Sequence, residues 1–196
     1  MELKTNITED EIKELPLFSY NGNVVVVDNK ETYHKILPEL FLDNILGFDT
    51  ETKPCFKKGM ANLTPVSLLQ LSSVDKTYLF RLNKLPLQKE VIRLLSSEQY
   101  KKIGVSIRDD IKSLQKLKKF KADGFIDLQQ YVKDFKIADM SLKKMAAIVL
   151  RIRISKAQQL SNWDAPQLNE KQIQYAATDS WISREIFIKL NSIQHD

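Results

Sequence analysis

The fold is decided by the stretch Ile45-Leu46-Gly47-Phe48-Asp49-Thr50-Glu51-Thr52, in which an apolar run leads directly into two acidic residues. Side chains on a β-strand alternate between its two faces. If this stretch is a strand, Asp49 and Glu51 share one face. Neighbouring carboxylates at the end of a buried strand repel each other, and each resists removal from water. A strand that runs out into a polar loop also explains an isolated pair of acids. Whether this pair belongs to a functional site therefore depends on the rest of the chain.

A second pair of acids follows a short apolar segment, 102–106, that we predict to be a strand. Asp109 and Asp110 lie in the first turn of the predicted helix that comes next, over about 108–119. Acids in a first turn have an ordinary structural role, because they satisfy free backbone N–H groups and interact favourably with the helix dipole. Their position alone therefore does not indicate that they belong to a functional site.

Helical spacing separates these two acids. From Asp110 the same helix face continues through Leu114 and Leu117, which predicts that Asp110 faces the sheet. From Asp109 it continues to residues such as Lys116, which predicts that Asp109 faces solvent. Asp110 is therefore the acid expected to approach Asp49 and Glu51.

A further acid lies in the last predicted helix, over about 169–193. At helical spacing Tyr175 and Asp179 share a face with Ile182 and Ile186, which marks that face as buried. A buried aspartate needs a partner charge, hydrogen bonds or a metal. An arginine or backbone N–H groups would serve as well as a metal, so both explanations remain open from this helix alone.

Taken together, the three segments supply four carboxylates and one tyrosine. Converging carboxylates need cations, and hard oxygen ligands suit Mg²⁺ or Mn²⁺. Two divalent ions roughly 3.5–4 Å apart can activate a water and stabilise the leaving oxygen in phosphodiester cleavage. The tyrosine hydroxyl would then orient the water. The candidate catalytic residues are Asp49, Glu51, Asp110, Tyr175 and Asp179.

Strand patterns followed by helical patterns predict an α/β layer architecture, with a mixed sheet of five or six strands and helices that dominate the end of the chain. We find no internal repeat or linker, so we expect a single domain over 1–196. The predicted strands are 23–28, the one ending in Asp49 and Glu51, 66–71 and 76–82 (an antiparallel hairpin), 102–106 and 125–128.

Composition excludes several classes of site. With 196 residues the chain is long enough for one well-buried domain. The single cysteine, Cys55, excludes an internal disulfide, and His34 and His195 show no zinc-ligand spacing. A net charge of +5 suits a polyanionic partner. We find no membrane-spanning stretch or usual signal peptide, so we expect a cytoplasmic protein without a membrane partner.

Three segments resemble the exonuclease motifs of the DEDD superfamily of 3′→5′ exonucleases, the DnaQ-like/RNase D superfamily. The tyrosine of the third motif is typical of the DEDDy type. Further segments, Lys58-Gly59 before VSLLQL (66–71) and LSNW (160–163), resemble the Werner-syndrome exonuclease domain and its bacterial relatives, with RNase D more distant. The resemblance covers about 23–190. The three motifs are GFDTETKP (47–54), IGVSIRDD (103–110) and YAATDSW (175–181).

This resemblance implies an RNase H-like mixed sheet flanked by helices. It also implies two divalent ions, Mg²⁺ or Mn²⁺, and removal of nucleoside monophosphates from DNA 3′ ends. An RNase D-like enzyme that trims RNA 3′ ends is the nearest alternative. A non-catalytic nucleic-acid-binding module on the same fold is a second, and the presence of all four acids argues against it. The implied metal ligands are Asp49, Glu51, Asp110 and Asp179.

Substrate contacts are less well defined by the sequence. In relatives, apolar side chains near the first two motifs wedge against terminal bases, which makes Thr52, Met60, Leu69 and Trp163 candidates. Trp163 also has the character of a packing residue. Two basic runs are typical of solvated helix faces, and a minority of their members could hold phosphates. The runs are Lys112, Lys116, Lys118, Lys119 and Lys121, and Lys143, Lys144, Arg151, Arg153 and Lys156.

Overall fold

Six strands form one mixed sheet within residues 3–54 and 65–195, the part of the chain that the computed structural model describes. Each strand predicted from the sequence is present, with ends that shift by a few residues. The strands are β1 (Asn23–Val27), β2 (Ile45–Thr52), β3 (Val66–Ser72), β4 (Lys76–Arg81), β5 (Lys101–Gly104) and β6 (Phe125–Asp127).

The order across the sheet is β1-β4-β3-β2-β5-β6. β3 and β4 pair antiparallel, which confirms the predicted hairpin, and β3 also pairs antiparallel with β2. β5 runs parallel to β2 on its other side. Because β2 and β5 are parallel neighbours, their carboxyl ends meet at the same edge of the sheet. The first motif includes the end of β2 and the second runs from the end of β5 into the next helix, so the topology brings them together.

Helices cover both faces of the sheet, as predicted. None of those in the described part of the chain is long and apolar enough to cross a bilayer. A 3₁₀ turn (Val132–Phe135) continues α5, and a π turn (Ala146–Leu150) continues α6. The helices are α1 (Glu9–Lys13), α2 (Lys30–Leu40), α3 (Lys89–Leu95), α4 (Arg108–Leu117), α5 (Leu128–Tyr131), α6 (Leu142–Met145) and α7 (Glu170–His195).

The hydrophobic core is divided by the sheet. One cluster joins Phe48 to side chains of α2, α3 and α4, including Leu114. A second joins α5, α6 and α7, including Ile182 and Ile186, and a smaller third joins the sheet to Trp163 and α7. Leu117 was expected to turn toward the sheet, and this was wrong, because its position at the last turn of α4 leaves it 41% exposed.

Helix α7 lies unusually close to β2. A Cβ atom added to Gly47 would lie 1.8 Å from the backbone oxygen of Ser180, so only glycine allows this approach. The hydroxyls of Ser180 and Ser72 are 2.6 Å apart, which ties α7 to β3 as well. Arg184 Nε donates to the backbone oxygen of Ile45 at 2.9 Å. These contacts fix both the depth and the rotation of α7 over the sheet.

We predict that Gly47→Ala destabilises the protein strongly. The added methyl group would meet backbone rather than a flexible side chain, so α7 would have to move off β2. Overpacking of this kind costs about 1–3 kcal/mol or more. The free energy of unfolding, measured by urea denaturation, should fall by at least that amount. An unchanged midpoint would show that α7 does not pack against β2 at this depth.

Candidate active site

Three carboxylates meet where β2 ends beneath α7. Ligand oxygens of Asp49, Glu51 and Asp179 all lie within 4.8 Å of one another. They line a cavity of about 240 Å³ together with Tyr175. The period-two alternation of β2 places Asp49 and Glu51 on one face, and the approach of α7 at Gly47 carries Asp179 to them.

Tyr175 and Asp179 are one helical turn apart, and their side chains interact. The Tyr175 hydroxyl is a hydrogen-bonding partner of the Asp179 carboxylate. Asp179 is 8% exposed, and Ala176 and Ala177 beside it are fully buried. The small side chains let this turn of α7 pack closely. The tyrosine hydroxyl therefore lies at the carboxylate cluster, as the helical spacing predicts.

Asp110 adjoins this cluster without being part of the group of three. The hydroxyl of Thr50, between the two β2 acids, donates to an Asp110 carboxylate oxygen. The charge of Asp110 helps to raise the pKa of both Asp49 and Glu51. Asp109 points away: its side chain is 88% exposed and pairs with Lys112 at 3.2 Å. The register of α4 is therefore the one that helical spacing predicts.

The turn from β5 into α4 places Asp110. Ser106 adopts a left-handed conformation (φ 59°) and donates its backbone N–H to Asp127 at 3.0 Å. A Cβ at Gly104 would lie 2.6 Å from the backbone oxygen of Phe48, so β5 also approaches β2 closely. The turn starts α4 near the end of β2, where Asp110 accepts a hydrogen bond from the Thr50 hydroxyl.

Crowding and burial keep protons on the cluster. Burial, and then the charges of Asp49, Asp179 and Asp110, raise the pKa of Glu51 to about 10. The pKa of Asp49 is also raised well above its usual value, first by burial and then by Asp179 and Asp110. Burial raises the pKa of Asp179 to about 7, although Tyr175 and Lys156 oppose the shift. At neutral pH the metal-free cluster cannot carry its full negative charge.

This donor set fits a divalent cation. Three carboxylate oxygens within a few ångströms, partly withdrawn from water, match the ligands that Mg²⁺ and Mn²⁺ prefer. A cation would offset the repulsion that raises the pKa values of these groups. Asp110, held by Thr50, lies at the side of this site.

The cavity contains two cations that the sequence did not single out. Lys143 and Lys156 line it together with the carboxylates, Gln159 and Ser183. Lys156 lowers the pKa of Asp179, so its charge is felt at the cluster. Both lysines belong to the second basic run, and the sequence alone does not distinguish them from its other members. Only the path of the chain between α6 and α7 distinguishes them.

The four residues predicted to contact substrate lie in different surroundings. Thr52 is exposed, one residue beyond Glu51. Met60 lies outside the described residues. Leu69 and Trp163 are both 0% exposed, Leu69 in the cluster on the far side of the sheet and Trp163 beneath α7. Neither can touch a nucleotide in this structure, because the strand and loop that carry them turn both side chains into the core.

We predict that Glu51→Gln stabilises the metal-free protein. The folded-state pKa is raised from 4.5 to about 10, so wild type loses stability as the pH rises through this range, while the amide does not. Stabilisation should be about 1–2 kcal/mol at the alkaline end. Below about pH 4.5 the two proteins should match, since Glu51 is then protonated in both the folded and unfolded states.

Thermal melting in EDTA across this pH range measures the effect. Glu31→Gln is the control, because Glu31 pairs with Lys35 on the exposed surface of α2 and should change the free energy of unfolding by less than about 0.5 kcal/mol. Excess Mn²⁺ should reverse the ranking of wild type and Glu51→Gln. A metal-free Glu51→Gln protein that is less stable than wild type at alkaline pH would contradict the crowded-carboxylate description.

Comparison with known proteins gives a consistent result. A sequence model of the 3′-5′ exonuclease family matches residues 24–194. The mouse protein named bifunctional 3′-5′ exonuclease/ATP-dependent helicase WRN is 29% identical over 188 residues, which cover 91% of this chain and 13% of WRN. The chain spans 13% to 29% of the length of four curated relatives that it matches.

Solved structures share the fold. Trypanosoma brucei RNase D, in complex with RNA U12, matches with a TM-score of 0.75 and 22% identity, covering 92% of this chain and 64% of that chain. The EXD2 exonuclease domain, soaked in Mn and Mg, matches with a TM-score of 0.51 and 29% identity, covering 87% and 90% of the two chains. With the family match over 24–194, these findings confirm the predicted RNase H-like fold, and the chain belongs to the 3′-5′ exonuclease family.

Proposed function

We propose that this chain is a two-metal-ion 3′-5′ exonuclease that releases nucleoside monophosphates from DNA 3′ ends. The observation that carries the proposal is the convergence of Asp49, Glu51 and Asp179 within 4.8 Å in one cavity. Asp110 adjoins them through Thr50. These four carboxylates would hold two divalent ions, Mg²⁺ or Mn²⁺, which supply an activated water and stabilise the leaving oxygen when bound.

The role of Tyr175 follows from its surroundings. Burial, and then the charges of Asp179 and Glu51, raise the pKa of its hydroxyl far above the ordinary value. The hydroxyl therefore keeps its proton and acts as a hydrogen-bonding group rather than as a base. At the edge of the carboxylate cluster it would orient the attacking water and hold Asp179 in place.

Lys156 and Lys143 give the cavity a positive side. They line it together with the acids, so a phosphodiester held there would meet both metal-binding carboxylates and lysine side chains. Lys143 also forms an ion pair with Glu9, which holds it near the rim. Such an arrangement suits the binding of a phosphate whose negative charge increases in the transition state.

DNA is proposed over RNA because the motifs resemble the Werner-syndrome exonuclease branch and the mouse WRN match covers 91% of the chain. The likeness to RNase D concerns the fold. An exoribonuclease is therefore the alternative outcome of the same experiment. The non-catalytic module is disfavoured, since no ligand acid has been lost.

The test is incubation of purified protein with 5′-labelled and 3′-labelled single- and double-stranded DNA and RNA, with Mn²⁺, with Mg²⁺ or with EDTA. We expect a ladder shortened from the 3′ end of DNA, monophosphate products and no cleavage in EDTA. Faster cleavage of RNA would establish the exoribonuclease. Full activity in EDTA with trace metal excluded would contradict metal-dependent catalysis.

Asp110→Asn should abolish cleavage and leave the fold intact. Asp110 faces β2, whereas Asp109 extends into solvent beside Lys112. Asp109→Asn is the matched control: it should keep most of the activity and lose at most about 1 kcal/mol of stability from the first turn of α4. Turnover and thermal melting of both variants are the measurements. The reverse order of activities would show that Asp109 forms the site.

Tyr175→Phe should fold normally and lower turnover by about 10²-fold, the lower end of the range for a positioned hydrogen-bonding group. The ring would be retained, and only the hydroxyl at Asp179 would be lost. Tyr131→Phe is the control, because its hydroxyl contacts Gln194 at 3.4 Å on the surface. Wild-type turnover in Tyr175→Phe would make the tyrosine purely structural.

A further inference from the structure

Gln70 of β3 lies directly opposite Asp49 of β2 in the antiparallel ladder. Gly47 and Ser72 form a pair further along the same ladder, and the Ser72 hydroxyl is 2.6 Å from that of Ser180 in α7. Because side chains alternate along both strands, Gln70 and Asp49 also lie on the α7 face of the sheet. The Cβ atoms of such a pair are roughly 4.5–5.5 Å apart, so the glutamine amide is within reach of the aspartate carboxylate.

The amide of Gln70 is buried and unpartnered. The residue is 0% exposed, and neither Oε1 nor Nε2 has a hydrogen-bonding partner among the described residues. A buried amide without partners lowers the stability of a fold, whereas an apolar side chain of similar shape would fill the same space without that cost. Packing alone therefore does not explain why a glutamine occupies this position.

The surroundings of Gln70 limit what its amide N–H groups can bind. Leu68 precedes it on the same face of β3, and Leu79 is its partner on β4, so both present only carbon. Trp163 packs in the same cluster, but its indole nitrogen donates a hydrogen bond and does not accept one. The Asp49 carboxylate accepts one hydrogen bond from the next backbone N–H, at 2.9 Å, and has further lone pairs. Asp49 is therefore the acceptor that this face offers to Nε2.

We propose that Gln70 is a positioning residue of the metal site, whose amide N–H donates to the Asp49 carboxylate when a divalent ion is bound. Asp49 lines the cavity and Gln70 does not, so Gln70 would act through Asp49 rather than touch an ion or a substrate. Hydrogen bonds to a ligating carboxylate fix its orientation and support metal affinity. The inference rests on the proposed function, because it takes Asp49 to be a metal ligand.

Gln70→Met tests the proposal, because it keeps a side chain of similar length and removes the amide. Gln70→Leu is a second variant with the same loss and a different shape. Ser67→Ala is the matched control: Ser67 is 1% exposed, and its hydroxyl is also unpartnered within the described part of the chain. Ser67 lies three residues before Gln70, and therefore on the opposite face of β3.

Three quantities are measured for each protein. Calorimetric titration gives the dissociation constant for Mn²⁺, and thermal melting in EDTA gives the stability of the metal-free fold. The third is the Mn²⁺ concentration that gives half-maximal turnover of single-stranded DNA. A side chain that only supported the fold would lower the melting temperature and leave the affinity for Mn²⁺ unchanged.

We expect both Gln70 variants to raise the dissociation constant for Mn²⁺ by about 10–100-fold, and the half-maximal Mn²⁺ concentration by the same factor. Their melting temperatures in EDTA should equal or exceed that of wild type, because carbon replaces an unpartnered buried amide. Ser67→Ala should bind Mn²⁺ like wild type.

The proposal is overturned if either Gln70 variant binds Mn²⁺ with wild-type affinity, or if both melt below wild type in EDTA. These outcomes are separable from failure of the proposed function. If wild type binds Mn²⁺ but cuts no nucleic acid, the exonuclease proposal fails, whereas the affinities still decide the role of Gln70. If wild type cuts DNA and the Gln70 variants bind Mn²⁺ like wild type, only the role of Gln70 fails.

Discussion

The contact between Gly47 of β2 and the backbone of Ser180 in α7 is the constraint on which the rest of the site depends. It places a helix directly on a strand, with no side chain between them. Asp179, one residue before Ser180, is thereby carried to within 4.8 Å of Asp49 and Glu51. Tyr175 follows because it lies one turn away on the same face of the helix. A wider separation of helix and strand would leave Asp179 apart from the two acids of β2.

This proximity has an electrostatic cost, because three acids lie close together in a partly buried site. Burial and mutual repulsion raise the pKa of Glu51 to about 10, so the metal-free site keeps protons that isolated carboxyls would lose. The site is therefore less stable than a neutral one would be. A divalent cation offsets the repulsion between the carboxylates with its positive charge. Lys143 and Lys156 line the same cavity as the acids.

Local periodicity was enough to predict much of this from the sequence. Alternation along β2 put Asp49 and Glu51 on one face, and helical spacing distinguished Asp110 from Asp109. Contacts between elements distant in sequence could not be predicted: the Thr50 hydroxyl reaches Asp110, and the chain before α7 decides which lysines enter the cavity. The burial of Leu69 was missed for the same reason, since a motif position does not reveal what packs over it, whereas the burial of Trp163 agrees with its expected packing character. The cytoplasmic setting stays a prediction.

The central claim is that the cluster is a metal site. Its carboxyl groups keep protons in the metal-free protein and release them when a cation binds. Calorimetric titration of Mn²⁺ into metal-free wild type at about pH 8, repeated in buffers with different ionisation enthalpies, tests it most directly, because metal ligands must lose their protons on binding. We predict that the observed heat changes with the buffer and corresponds to release of about one proton or more, with Glu51 the main source. Binding with the same heat in every buffer, or no binding, would contradict this account.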